Sequence, residues 1–203
     1  PFEHMKLRML NGSHSTLAYL GYLAGYQHVS DAIADPDLRR LIAGLMTEEV
    51  IPTLPMSADM LSAYRDRLLE RFANPALKHR TWQIAMDGSQ KLPQRLLGTI
   101  RDRIAAGRSF DRLALGVAAW MRYVTGIDES GQPIEVKDPL APRLRQIADA
   151  ANRSPETLAA GLLAVREIFS ELGTNTQLWE ALVGHLDALF RTGAKATARS
   201  AGG

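Results

Sequence analysis

Residues 6–15 read Lys6-Leu7-Arg8-Met9-Leu10-Asn11-Gly12-Ser13-His14-Ser15, and they begin a segment whose apolar residues return at helical spacing. Leu7, Leu10, Leu17, Leu20 and Leu23 mark one face of a helix rather than the alternation of a strand. On an α-helix, at about 100° per residue, Lys6, His14 and Asn11 fall near about 0°, 80° and 140°. The three polar side chains are therefore expected to face one cavity, with Leu7 and Leu10 anchoring the helix elsewhere. Asn and Gly are unfavourable inside a helix. Their presence at 11 and 12 points to a ligand or to a close helix crossing.

The same period governs the rest of the chain. Asp35-Pro36-Asp37 reads as a helix start, with Leu38, Leu41, Ile42 and Leu45 turned inward. Ser57 reads as the N-cap of a helix that Asn74-Pro75 stops. Residues 80–86 read as helical, and Asp87-Gly88-Ser89 as a turn. A helix over 92–106 ends at Gly107, and the largely apolar segment 110–123 is expected at the centre of the fold. After an irregular stretch over 126–142 come helices from about Ala141, from Ser154-Pro155-Glu156, and over 176–190. No strand pattern appears, so the expected fold class is all-α: a single multi-helix domain over 1–191 with a flexible tail over 192–203.

Composition narrows the function. Net charge is +2 in 203 residues, and basic side chains alternate with acidic ones, as in Arg65-Asp66-Arg67. That pattern describes solvated helix faces rather than a nucleic-acid surface. Cysteine is absent, which removes disulfides, thiolate catalysis and sulfur-rich zinc sites together. No apolar run is long enough to span a bilayer and no signal peptide opens the chain, so the expected address is cytoplasmic. The chain begins Pro1-Phe2-Glu3 without an initiator methionine, as a fragment of a longer product would.

Lys6, Asn11 and His14 form a coherent chemical set. A lysine can carry the proton of an alcohol, while an amide and an imidazole can steady the oxygen left behind. Alcohol oxidation by hydride transfer needs both functions. It also needs a metal or an organic base at the oxygen, and a cysteine-free chain favours the organic base, with no metal.

Lys6-x4-Asn11-x2-His14 resembles the signature of the mannitol dehydrogenase family, the polyol-specific long-chain dehydrogenases, which includes fructuronate and tagaturonate reductases. Later segments are similar in the same order: Thr47-Glu48-Glu49-Val50 with Pro52, Arg71-Phe72-Ala73-Asn74-Pro75, residues 83–93 from Gln83 through Asp87 and Lys91 to Pro93, and Asp138-Pro139-Leu140. The likeness covers the chain to about residue 140 and concerns the family's helical C-terminal domain. It implies that Lys6 is the acid/base, that Asn11 and His14 hold the substrate oxygen, and that Lys91, with Gln83 and Asp87, binds substrate. It further implies NAD as cofactor, bound mainly by an N-terminal Rossmann domain not in this chain; no G-x-G-x-x-G is present. Mannitol-oxidising members tend to carry an arginine eight positions before the lysine matching Lys91, where this chain has Gln83. The resemblance therefore favours the interconversion of D-mannonate and D-fructuronate. Mannitol or arabinitol dehydrogenase of the same family is the alternative, and an all-α ligand-binding regulatory domain is the alternative from a different class.

The remaining polar residues invite plainer readings. Glu48 and Glu49 are expected to be structural or solvated, and His79 beside Arg80 to lie at a helix start or on the surface, with a lesser prospect of reaching an acidic substrate. His28 and His185 have no partners at metal-ligand spacing.

Overall fold

The computed structural model describes residues 1–201. α1 (Phe2–Met5), a π-helical turn over Lys6–Asn11 and α2 (Gly12–Leu23) run on as one rod, because Lys6, Asn11 and Gly12 all keep right-handed helical dihedrals. After α3 (Val29–Ala34), α4 (Pro36–Gly44) starts where the Asp35 carboxylate accepts the Asp37 N–H, with Pro36 in the first turn. It continues through a second π-turn (Leu45–Val50) into a short 3-10 turn (Ile51–Thr53). α5 (Ala58–Ala73) begins at Ser57, whose hydroxyl accepts the Met60 N–H at 3.2 Å.

α6 (Thr81–Ile84) leads to a third rod made of α7 (Gly88–Leu92), a π-turn (Pro93–Leu97) and α8 (Gly98–Ala105). Pro93 explains that last π-turn. It has no N–H to donate one turn back, so the hydrogen-bond register slips by a residue. α9 (Asp111–Tyr123) is buried at every position from Leu113 to Tyr123 and forms the centre of the molecule, as its apolar sequence predicts. It packs chiefly along α13 (Thr176–Ala201) and α2. Between them come α10 (Ala141–Ala151), α11 (Pro155–Leu163), started by the Ser154 hydroxyl, and the short α12 (Arg166–Phe169). No strand forms among the described residues, only isolated bridges His28–Arg80 and Ile127–Pro133. Also among them, no helix is long and apolar enough to cross a membrane.

Two expectations need correction. The first π-turn changes which side chains of residues 6–11 face inward. Arg8 and Met9 are buried, while Leu7 and Leu10, the expected anchors, are only half-buried. An i→i+5 turn is wider than an α-turn, so the 100° wheel does not hold across it. The Arg8 guanidinium is accommodated by the Thr53 hydroxyl at 3.0 Å and the Asp102 carboxylate at 2.7 Å.

The second correction concerns the tail. Helix continues from Thr176 to Ala201, broken only at Gly193 (φ 88°, ψ 172°). The helix restarts where the Ala194 N–H donates to the Glu129 carboxylate at 2.7 Å. Ala194, Thr197 and Ala198 are buried. Small side chains at this spacing read as a polar, featureless tail, yet they let the helix approach its neighbours closely. Residues 202 and 203 of the expected tail lie outside the described residues.

Candidate active site

The site is built at a helix crossing. A Cβ placed on Gly12 would lie 2.6 Å from the Arg95 carbonyl oxygen, so only glycine allows the rod carrying Lys6, Asn11 and His14 to touch the rod carrying Lys91 and Arg95. The close-crossing reading of Gly12 is thus the one the packing supports. Gly88 sits under a similar constraint, with Trp120 and the Tyr19 hydroxyl each 2.5 Å from the position of a Cβ.

His14 projects from α2 onto the end of α5, where its ring stacks on Phe72 with centroids 5.4 Å apart. His79 leans against it, centroids 5.5 Å apart and planes 45° apart. The loop after α5 delivers His79. Asn74 caps a short turn, Lys78 takes a left-handed conformation (φ 51°), and the His79 carbonyl accepts the Val29 N–H at 2.9 Å. The Thr81 N–H then donates to the Gln27 carbonyl at 3.0 Å, which stitches the loop to residues 27–29.

Burial, helped by the neighbouring His79, Arg95, Arg71 and Lys91, holds the His14 imidazole down to about 4. The ring is therefore neutral at physiological pH. Its Nε2 is buried and has no hydrogen-bond partner among the described residues. A buried nitrogen left unpaired is unfavourable by about 1–3 kcal/mol, and an incoming substrate oxygen would relieve it.

The other expected site residues are placed as follows. Lys6 is exposed on the π-turn and Asn11 is half-buried. Lys91 is half-buried, with Nζ 3.4 Å from the Ile84 carbonyl, and burial pushes its ammonium below the usual lysine range. Asp87 takes a left-handed conformation (φ 58°) and starts α7, its carbonyl accepting the Gln90 and Lys91 N–H groups at 3.0 Å. Gln83 is exposed on α6. The structure thus gathers His79, Lys91, Arg95 and Arg71 about His14, while Lys6 and Asn11 lie further along the rod that carries His14.

Arg95 is the residue that sequence reading passes over. It is half-buried, and its guanidinium donates to the Ser15 hydroxyl at 3.0 Å, next to His14. Its place four residues after Lys91 on one helix was the available signal. Glu49 has a different task. Its two carboxylate oxygens accept the Arg112 and Leu113 N–H groups, each at 3.0 Å, at the start of α9. It anchors the central helix, as the structural reading of this pair expects. A cleft of about 810 Å³ is lined by Glu48, Thr53, Asp102, Arg103 and Arg108 among others, and not by His14.

Lys6, Asn11 and His14 lie on one rod, and His14 stands beside a group of basic residues. The chain belongs to the mannitol dehydrogenase C-terminal domain family, whose model matches residues 1–190. It is 52% identical over 198 residues, 97% of its length, to a protein of Escherichia coli (strain K12) named uncharacterized oxidoreductase YdfI. It is 49% identical over 197 residues, 96% of its length, to the D-mannonate oxidoreductase of the same strain. The solved ternary complex of Pseudomonas fluorescens mannitol 2-dehydrogenase with NAD and D-mannitol superposes with a TM-score of 0.91 over 98% of the chain, at 33% identity. In all three cases the chain spans 40% of the other protein's length.

Proposed function

We propose that this chain is the substrate-binding and proton-transferring part of an NAD-dependent oxidoreductase that interconverts a sugar acid or polyol with its keto form. D-mannonate and D-fructuronate are the favoured pair. The observation that carries this reading is the buried, unpaired Nε2 of a neutral His14, on the same rod as Lys6 and Asn11. A neutral imidazole and an amide can hydrogen-bond the substrate oxygen in both its hydroxyl and carbonyl forms. Lys6 then takes the hydroxyl proton during oxidation and returns it during reduction. NAD, when bound, accepts the hydride from the carbon. Its phosphates require a glycine-rich turn between strand and helix, which this chain lacks, so its binding is assigned to a domain outside these residues.

Family membership favours this reading over the regulatory-domain alternative. The choice of a sugar acid rests on Gln83 in place of an arginine, on the cations near His14, and on the 49% identity to a D-mannonate oxidoreductase. A mannitol-type substrate is the second reading, favoured by the fold match to mannitol 2-dehydrogenase. The test uses the enzyme that carries this domain, assayed with NADH against fructuronate and fructose, alongside Lys6→Met. Faster fructuronate reduction, abolished by Lys6→Met with NADH binding intact, is the expected result. Preference for fructose returns mannitol chemistry to the front, and an active Lys6→Met variant removes Lys6 from the mechanism.

A further inference from the structure

We infer that Arg71, His79 and Arg95, together with Lys91, form a subsite that receives the carboxylate of an anionic substrate. This inference rests on the oxidoreductase reading above and extends it to the end of the substrate remote from the reacting carbon. Geometry brings the four together around His14. Arg71 directly precedes Phe72, on which His14 stacks, and His79 leans on the same imidazole from the stitched loop. Arg95 is fixed beside His14 through the Ser15 hydroxyl, and Lys91 stands one turn before it on the same rod.

These cations lack the partners that others in the molecule have. The buried Arg8 meets Asp102, and Arg112 meets Glu48 and Glu49. Among the described residues neither Arg71, Lys91 nor Arg95 makes an ion pair with a carboxylate, and only Asp87 acts on Lys91 from a distance.

Like charges left together, with Lys91 and Arg95 half-buried, are unfavourable, and a bound anion removes the imbalance. An arginine matches a carboxylate with two parallel hydrogen bonds, which a neutral hydroxymethyl group cannot accept in the same way. A sugar acid carries such a group and a polyol does not. A dinucleotide phosphate is the other anion at hand, and the test separates the two.

The test compares wild type with Arg71→Gln, Arg95→Gln, Arg95→Lys and His79→Asn in the enzyme that carries this domain. KM and kcat are measured for fructuronate, fructose and NADH, and D-mannonate binding is measured by calorimetry in the presence of NAD. The expected result is a KM for fructuronate raised at least tenfold more than the KM for fructose in Arg71→Gln and Arg95→Gln. Arg95→Lys should recover part of the loss. Equal effects on both sugars, or a raised KM for NADH instead, would overturn the subsite. Should the wild type reduce fructose but neither bind mannonate nor reduce fructuronate, the subsite fails while the oxidoreductase reading stands. Should neither sugar be reduced, mannonate binding lost in Arg95→Gln would support the subsite without that reading; no binding would refute both. Arg71 is exposed, so its variant remains informative if Arg95→Gln fails to fold.

Discussion

The imidazole of His14 lies on the ring of Phe72, with planes 26° apart and centroids separated by 5.4 Å, and this contact closes one side of the imidazole to water. Since burial is the largest cause of its lowered basicity, trimming the aromatic ring should restore part of it. Phe72→Leu is expected to raise the His14 titration midpoint from about 4 toward the ordinary histidine value. The imidazole C–H resonance, followed by NMR across pH 3–8 (a range of roughly normal histidine and carboxylate titration), reads it directly. An unmoved midpoint would mean that the neighbouring cations, not burial, dominate.

The same group makes folding sensitive to acid. His14 binds its proton more weakly folded, at about 4, than unfolded, near the ordinary histidine value of 6.5. Its contribution is therefore fully present above the unfolded value and is lost as pH falls from there toward 4. The difference corresponds to about 3 kcal/mol at most. In denaturant melts across that window, wild type should lose up to about 3 kcal/mol relative to His14→Leu as pH drops. Parallel curves would show that His14 is not the group responsible.

Asn11→Ala and His14→Ala are each expected to slow turnover by about 10²–10³ if these side chains steady the oxygen in the transition state. Steady-state kinetics paired with thermal melts separates this from a structural effect. A lowered melting temperature at unchanged kcat assigns the residue to packing instead.

Glu49 ties the second rod to the start of α9 through two backbone N–H groups. Glu49→Ala should cost about 2–4 kcal/mol, because the Arg112 and Leu113 N–H groups lose their acceptor. Glu49→Gln, which keeps one carbonyl oxygen, should cost less. Urea midpoints at neutral pH give the comparison, and equal losses for both variants would contradict the clamp.

Two glycines should respond with opposite signs. Gly12→Ala drives a methyl against the Arg95 carbonyl and is expected to destabilise by about 1–3 kcal/mol, with loss of the site's geometry. Gly184 lies within α13 and a Cβ there meets nothing within 4 Å. Gly184→Ala should therefore stabilise by about 0.5–1 kcal/mol. Thermal denaturation of both variants decides, and a neutral Gly12→Ala would argue against the close crossing.

Helical spacing of leucines, the caps at Asp35, Ser57 and Ser154, and the stop at Asn74-Pro75 are local signals, and each element they announce is present. Local signals also single out Lys6, Asn11 and His14 as an unusual polar set on one helix. The π-turns were beyond such reading, since only Pro93 leaves a trace of a slipped hydrogen-bond register in the sequence. So were His79 against His14, Arg95 beside Ser15, and Glu49 under α9, each joining residues more than 60 positions apart. The helix after Gly193 was misread for the same reason, because alanines have no inner face until a neighbour covers them. Periodicity and capping depend on a residue's immediate chain neighbours and so survive in the sequence. Which helix crosses which, and which buried charge lacks a partner, depends on how all the apolar faces are covered at once, and only the packed tertiary structure decides that.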